Sequence, residues 1–97
     1  IALQQGDLDA ARRSVNQALI VQPDDAAAYE LAGDIERSGG EHLASIARYQ
    51  EAVRVDRSPS FHLLDKLGRC QMAAGYPFDA VTTLRQAVNH FPLANNL

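Results

Sequence analysis

The chain has no Trp, one Cys, one Met and one Lys among its 97 residues, and its aromatics stop at three Tyr and three Phe. A lone Cys70 excludes an internal disulfide framework and a cysteine-built zinc site, and it leaves the redox compartment open. Bases are scarce as well. Nine Lys and Arg against twelve Asp and Glu give a net charge of −3, the wrong balance for a basic stripe that binds phosphates by releasing counterions. Apolar runs are short, Ala18–Val21 being an example, so no segment approaches the roughly 20 residues needed to span a bilayer. No signal peptide is visible and nothing names a compartment. With Ile1 at the start and Met72 the only Met, the sequence is expected to be a piece of a longer chain. Eight Arg to one Lys, with abundant Ala, suggests a GC-rich bacterial genome.

What is present is a repeat. Gly6, Gly40 and Gly75 stand 34 and then 35 residues apart, and the same two intervals separate Ala18, Ala52 and Ala87. They recur in Ala11, Ser45 and Ala80 and in Val15, Tyr49 and Leu84. Four columns in one phase indicate a supersecondary unit stacked on copies of itself. Tyr29 to Leu64 and Gly33 to Gly68 are both 35 apart, which places the extra residue after Ala52 and before Leu64, in the turn Arg57-Ser58-Pro59-Ser60.

Inside each period, apolar residues fall three and four apart, the helical spacing, and nothing alternates with a period of two. Leu8, Ala11, Val15, Ala18 and Leu19 form a first stripe, with Asp7 expected as its N-cap and Pro23 beyond its end. A second helix is expected from Asp25 to about Ser38, closed by Gly39-Gly40, and a third from about Glu41 to Asp56. Ser58-Pro59 is expected to start the fourth, which runs to about Ala74 and is closed by Gly75. Pro77 starts the last, running to about Phe91. Gly33 and Gly68 fall mid-helix, where glycine costs about 1 kcal/mol relative to alanine. Close helix contact is the expected reason, with Ser45 and Ala52, or Ala80 and Ala87, against them and Tyr49 and Leu84 filling the wider gap.

These residues resemble the tetratricopeptide repeat, a 34-residue helix-turn-helix unit with the pattern W-x2-L-G-x2-Y, A-x3-F, A and P. Here the first helices read Tyr29-x2-Ala32-Gly33 and Leu64-x2-Leu67-Gly68; the second helices read Ala11-x3-Val15-x2-Ala18 with Pro23, Ser45-x3-Tyr49-x2-Ala52, and Ala80-x3-Leu84-x2-Ala87 with Pro92. Glu36 and Gln71 depart from the pattern where a tyrosine is usual, and Arg57 where a proline is usual. The resemblance implies an all-α, right-handed superhelical array of antiparallel helix pairs forming one domain over 1–97. Its parts would be a partial repeat at 1–24, a full repeat at 25–58 and another at 59–94.

Catalytic chemistry finds little footing. His42, His62 and His90 belong to different units and keep no ligand spacing, whereas zinc needs three or four ligands at one point. Cys70 aligns with Ile35 and Ile1, which marks a core position rather than a thiol in an electropositive opening. No phosphate-cradling glycine loop, nucleophile elbow or paired-histidine motif occurs. No enzyme activity and no cofactor are expected.

The resemblance then implies a concave groove lined by the first helix of each unit and holding a peptide or helix of another protein. By helical spacing the groove residues would be Ala27, Glu30, Asp34 and Arg37 in one unit and His62, Asp65, Arg69 and Met72 in the next, with Lys66 at the edge. Relatives that clamp a C-terminal carboxylate carry lysine and asparagine where this chain has Glu30, Asp34, Asp65 and Arg69. That clamp is missing, so the expected partner segment is basic or neutral with an apolar anchor near Met72. No nucleic-acid partner and no membrane contact by this segment are expected. A structural or oligomerisation role inside a larger multi-repeat protein is the alternative, with self-association through terminal repeats that expose Val15, Ala18 and Leu19.

Overall fold

A computed structural model describes residues 5–90 of the chain, apart from the side chains of Gln5 and His90. It contains five helices in order: α1 (Gln5–Val21), α2 (Ala26–Ser38), α3 (His42–Val55), α4 (Phe61–Ala73) and α5 (Pro77–His90). Among the described residues there is no strand. Each helix packs on its neighbour in chain order, most extensively α2 on α3 and α4 on α5, and the body measures 46 × 28 × 23 Å. The elongation follows from sequential stacking, in which a helix packs chiefly on its neighbours.

Local chemistry sets the helix ends. Asp25 caps α2 by accepting the Ala28 N–H at 3.2 Å, and Ser60 caps α4 by accepting the Leu63 N–H at 3.0 Å, each worth about 1 kcal/mol. Ser60, rather than Ser58-Pro59, is therefore the start signal of α4, because only Ser60 stands three residues before an N–H left open by the first turn. Gly40 (φ 78°) and Gly75 (φ 88°) end α2 and α4 in the left-handed region. In both, the next residue's N–H returns to a carbonyl five residues back, Glu41 to Glu36 and Tyr76 to Gln71, the bonding of a Schellman C-cap. Gly6 breaks that series. It lies inside α1 with a negative φ, and Asp7 sits in the first turn of that helix instead of capping it. The connection 22–25 before α2 has four residues and 56–60 before α4 has five, so the extra residue of the second period lies where the spacing predicts it.

Two apolar clusters hold the stack. One joins Leu8 and Val15 of α1 to Ala32 and Ile35 of α2, and the other joins Ile46, Tyr49 and Ala52 of α3 to Leu63, Leu67 and Cys70 of α4. The mid-helix glycines sit under the large residues, Tyr49 and Leu84, and Ser45 also reaches Gly33. A Cβ on Gly33 would lie 2.5 Å from the Tyr49 ring, and one on Gly68 would lie 2.6 Å from a Leu84 methyl. The small columns are buried as well: Ser45, Ala52, Ala80 and Ala87 have almost no exposure, and Ser45 Oγ donates to the Gly33 carbonyl at 3.1 Å. Ala18 departs from its column and is exposed, whereas Val15 is buried and Leu19 half-buried. The reason is that α1 packs chiefly on α2, while α3 lies between α2 and α4. The apolar strip expected from Val15, Ala18 and Leu19 is replaced by the exposed Ile20 and Val21 at the end of α1.

Candidate functional site

Of the nine residues expected to line a groove, six form ion pairs on the α2 and α4 helices. Lys66 is not at the edge; its side chain is 12% exposed and Nζ donates to Glu30 Oε2 at 2.9 Å and to both Asp34 carboxylate oxygens at 3.0 and 3.1 Å. This ammonium ties α4 to α2. Arg37 approaches Asp34 at 3.8 Å, and Arg69 bonds Asp65 at 2.9 Å within α4. Glu30, Asp34 and Asp65 are half-buried; Ala27, Arg37, His62, Arg69 and Met72 are exposed.

The network extends into the core through Tyr49 of α3, whose hydroxyl donates to Asp34 Oδ1 at 2.5 Å and whose ring centroid lies 6.0 Å from Lys66 Nζ. Burial, and then the hydrogen bond to Asp34 and its charge, push the Tyr49 hydroxyl pKa well above its ordinary range. Burial works against the Lys66 ammonium, but the hydrogen bonds it donates to Glu30 and Asp34, together with their charge, outweigh it and its pKa also ends raised. Glu30 and Asp34 are therefore engaged within the chain rather than left as free carboxylates. Two carboxylates already have two cations, Lys66 and Arg37, within reach, and the field they present outward is close to neutral.

Three further side-chain contacts between helices lay outside the sequence argument. Glu36 accepts from Arg12 of α1 at 2.9 Å, and Gln71 Oε1 accepts from Thr83 of α5 at 2.6 Å. These are the two positions where the repeat pattern has tyrosine, and each carries a polar link to an adjacent helix instead. The available signal was Gln71 itself, a polar residue on an otherwise apolar face. Cys70 is buried as expected, and its sulfur is 3.4 Å from Ser45 Oγ. His42 and His62 are exposed and remote in sequence, and the side chain of His90 lies outside the described residues. Among the described residues no group of three or more His, Cys, Asp or Glu is placed to hold a metal, and no helix is long and apolar enough to cross a membrane. A cavity of about 30 Å³ beside Arg12, Asn16 and Arg48 has room for a water molecule, far below the several hundred Å³ of a small-molecule pocket.

Helices packed in chain order, with α2 and α4 closed by glycine and tied together by the half-buried Lys66 ammonium, define a helical-repeat protein. A family model described as tetratricopeptide repeat matches residues 1–60, more than half of the sequence, and the chain belongs to that family. Among curated proteins none matches it. Tetratricopeptide repeats act in protein–protein interaction and as scaffolds.

Proposed function

We propose that this chain is a non-catalytic interaction module that receives a segment of another protein, a peptide or a helix, on the shared face of α2 and α4. The observation that carries this reading is the state of that face. Its charges are cancelled internally by Lys66, Arg37 and Arg69, while Ala27, His62 and Met72 are exposed beside them. A surface of that kind rewards an apolar anchor and backbone hydrogen bonding more than net charge. The partner segment is accordingly neutral, with an apolar side chain directed at Met72. A scaffold role rests on a different observation, the exposed Val81 and Val88 of α5.

The test is selection from a displayed random-peptide library, followed by amide shift mapping with a selected peptide. Support consists of selected sequences lacking a basic consensus, perturbations centred on Ala27, His62 and Met72, and loss of binding in Met72→Glu. Peptides rich in Lys and Arg, or shifts confined to α5, would refute the reading. Reversing Glu30 or Asp34 is a poor test, because it dismantles the Lys66 contact and changes stability together with the surface.

A further inference from the structure

The junction of α1 with α2 differs from the junction of α3 with α4 at matched positions, and the differences gather at one point. Val15 and Ala32 stand, 34 and 35 residues earlier, where the later junction has Tyr49 and Leu67. Both are smaller. The cavity of about 30 Å³ opens beside them, with the buried Val15, Ala32 and Ile35 as its apolar side. Its polar side is formed by Arg12, Asn16, Glu36 and Arg48. Two of these have counterparts 35 residues on that bond each other: Gln71, for Glu36, accepts from Thr83, for Arg48, at 2.6 Å. Between Glu36 and Arg48 that contact is not made. Glu36 turns instead to Arg12, whose counterpart 34 residues on is the apolar Ile46. Arg12 is thereby occupied twice, by Glu36 at 2.9 Å and by Asp9 at 2.8 Å. Arg48 is left over: it is half-buried and, among the described residues, has no hydrogen bond or ion pair.

We propose that this cavity, bounded by α1, α2 and α3, receives a single carboxylate on a short aliphatic stem, the end of a glutamate side chain of a partner protein, with Arg48 as its counter-ion. Size sets the first limit. A water needs roughly 10 to 15 Å³ measured this way, so the space holds about two such groups, the extent of a carboxylate's two oxygens and far less than a whole metabolite. Charge sets the second. A guanidinium without a counter-ion in partly desolvated surroundings favours a carboxylate, which it engages through two parallel N–H···O bonds. The exposed Asn16 amide adds a donor on the same side, and the methylene groups of the stem gain by contact with Val15, Ala32 and Ile35. A chain-borne carboxylate is favoured over a free acid because the family acts in protein–protein interaction and because only a head group fits. The site uses no residue of the α2 and α4 face and stands or falls independently of it.

The test titrates the isotope-labelled full chain with sodium propionate, which has the stem and head of a glutamate side chain, against sodium chloride and propionamide at equal ionic strength. The expected result is saturable shifts of the Asn16 side-chain amide and the Arg48 Nε–H with propionate alone. Arg48→Gln should weaken binding about tenfold or more and leave thermal unfolding unchanged, since no contact within the chain is lost. Met72→Glu, on the other face, should leave it within about twofold. A blocked tripeptide with a central Glu should reproduce the shifts, and its Gln version should not. Failure to saturate by about 100 mM propionate overturns the proposal and leaves the space to water. Equal binding of propionamide, or binding that Arg48→Gln does not diminish, overturns it as well. Propionate that binds where the glutamate peptide does not overturns the assignment to a partner's side chain and gives the site to a small free acid.

Discussion

Placing a methyl group on Gly33 separates the packing account from simple helix propensity, because the two predict opposite signs. On propensity alone Gly33→Ala stabilises, by about 1 kcal/mol. The structure predicts otherwise. The new Cβ lies 2.5 Å from two carbons of the Tyr49 ring and 2.9 Å from a third, and that ring has no free side toward which to retreat: Tyr49 is fully buried and its hydroxyl is held by Asp34. Relieving the overlap by shifting α3 costs the usual overpacking penalty of about 1 to 3 kcal/mol. Swinging the ring instead forfeits a hydrogen bond to a carboxylate, about 1.5 to 3 kcal/mol. After the propensity gain, a net loss of up to about 2 kcal/mol remains, or a fall in Tm of up to about 16 °C for a domain of this size. Urea denaturation followed by circular dichroism measures it, with Gly6→Ala as the matched control. Among the described residues, nothing beyond the local backbone of α1 lies within 4 Å of a Cβ at Gly6, so that substitution should stabilise by up to about 1 kcal/mol. A Gly33→Ala protein as stable as the Gly6→Ala protein would show that α2 and α3 do not cross at Gly33 and Tyr49.

Three further outcomes are expected. Raised pKa values for Tyr49 and Lys66 mean that the folded chain keeps protons the unfolded chain releases; stability should hold below about pH 10 and decline as the pH rises beyond it, a decline that Tyr49→Phe should flatten in urea titrations. Lys66→Met should cost about 1 to 3 kcal/mol by stranding two half-buried carboxylates, whereas Arg69→Ala, which breaks an exposed pair within α4, should stay within about 0.5 kcal/mol. Thr83→Val should cost about 1 to 3 kcal/mol by leaving Gln71 Oε1 without its donor, and adding Gln71→Leu should recover most of that loss, a coupling that a double-mutant cycle reads directly.

The helices were legible because their signals are local. Asp25, Gly40 and Gly75 act within one turn of backbone, and the apolar spacing of Leu63, Leu67 and Cys70 follows from 3.6 residues per turn. Asp7 is not the cap its position after Gly6 suggests, because α1 already runs through both residues. Tyr49 over Gly33 was half legible: the glycine announced a close approach, but its partner depends on the axial offset between α2 and α3. The site was hardest to read. Helical periodicity put Glu30, Asp34 and Lys66 on two separate helices correctly, but whether Lys66 reaches the two carboxylates depends on how far α4 slides along α2, and periodicity does not encode that distance. Glu36 and Gln71 were noticed as departures from a pattern; their partners, Arg12 and Thr83, lie on other helices and carry no mark of the pairing in the sequence.

Lys66 is the sole lysine in the chain, and the contact between α2 and α4 shields its only side-chain amine. An acylating reagent should therefore capture that nitrogen faster when its bonds to Glu30 and Asp34 open, which turns the rate of lysine modification into a residue-specific clock for the breathing of that junction. Ligands that brace the stack would slow the clock and loosening substitutions would speed it, without any reporter group being added to the protein.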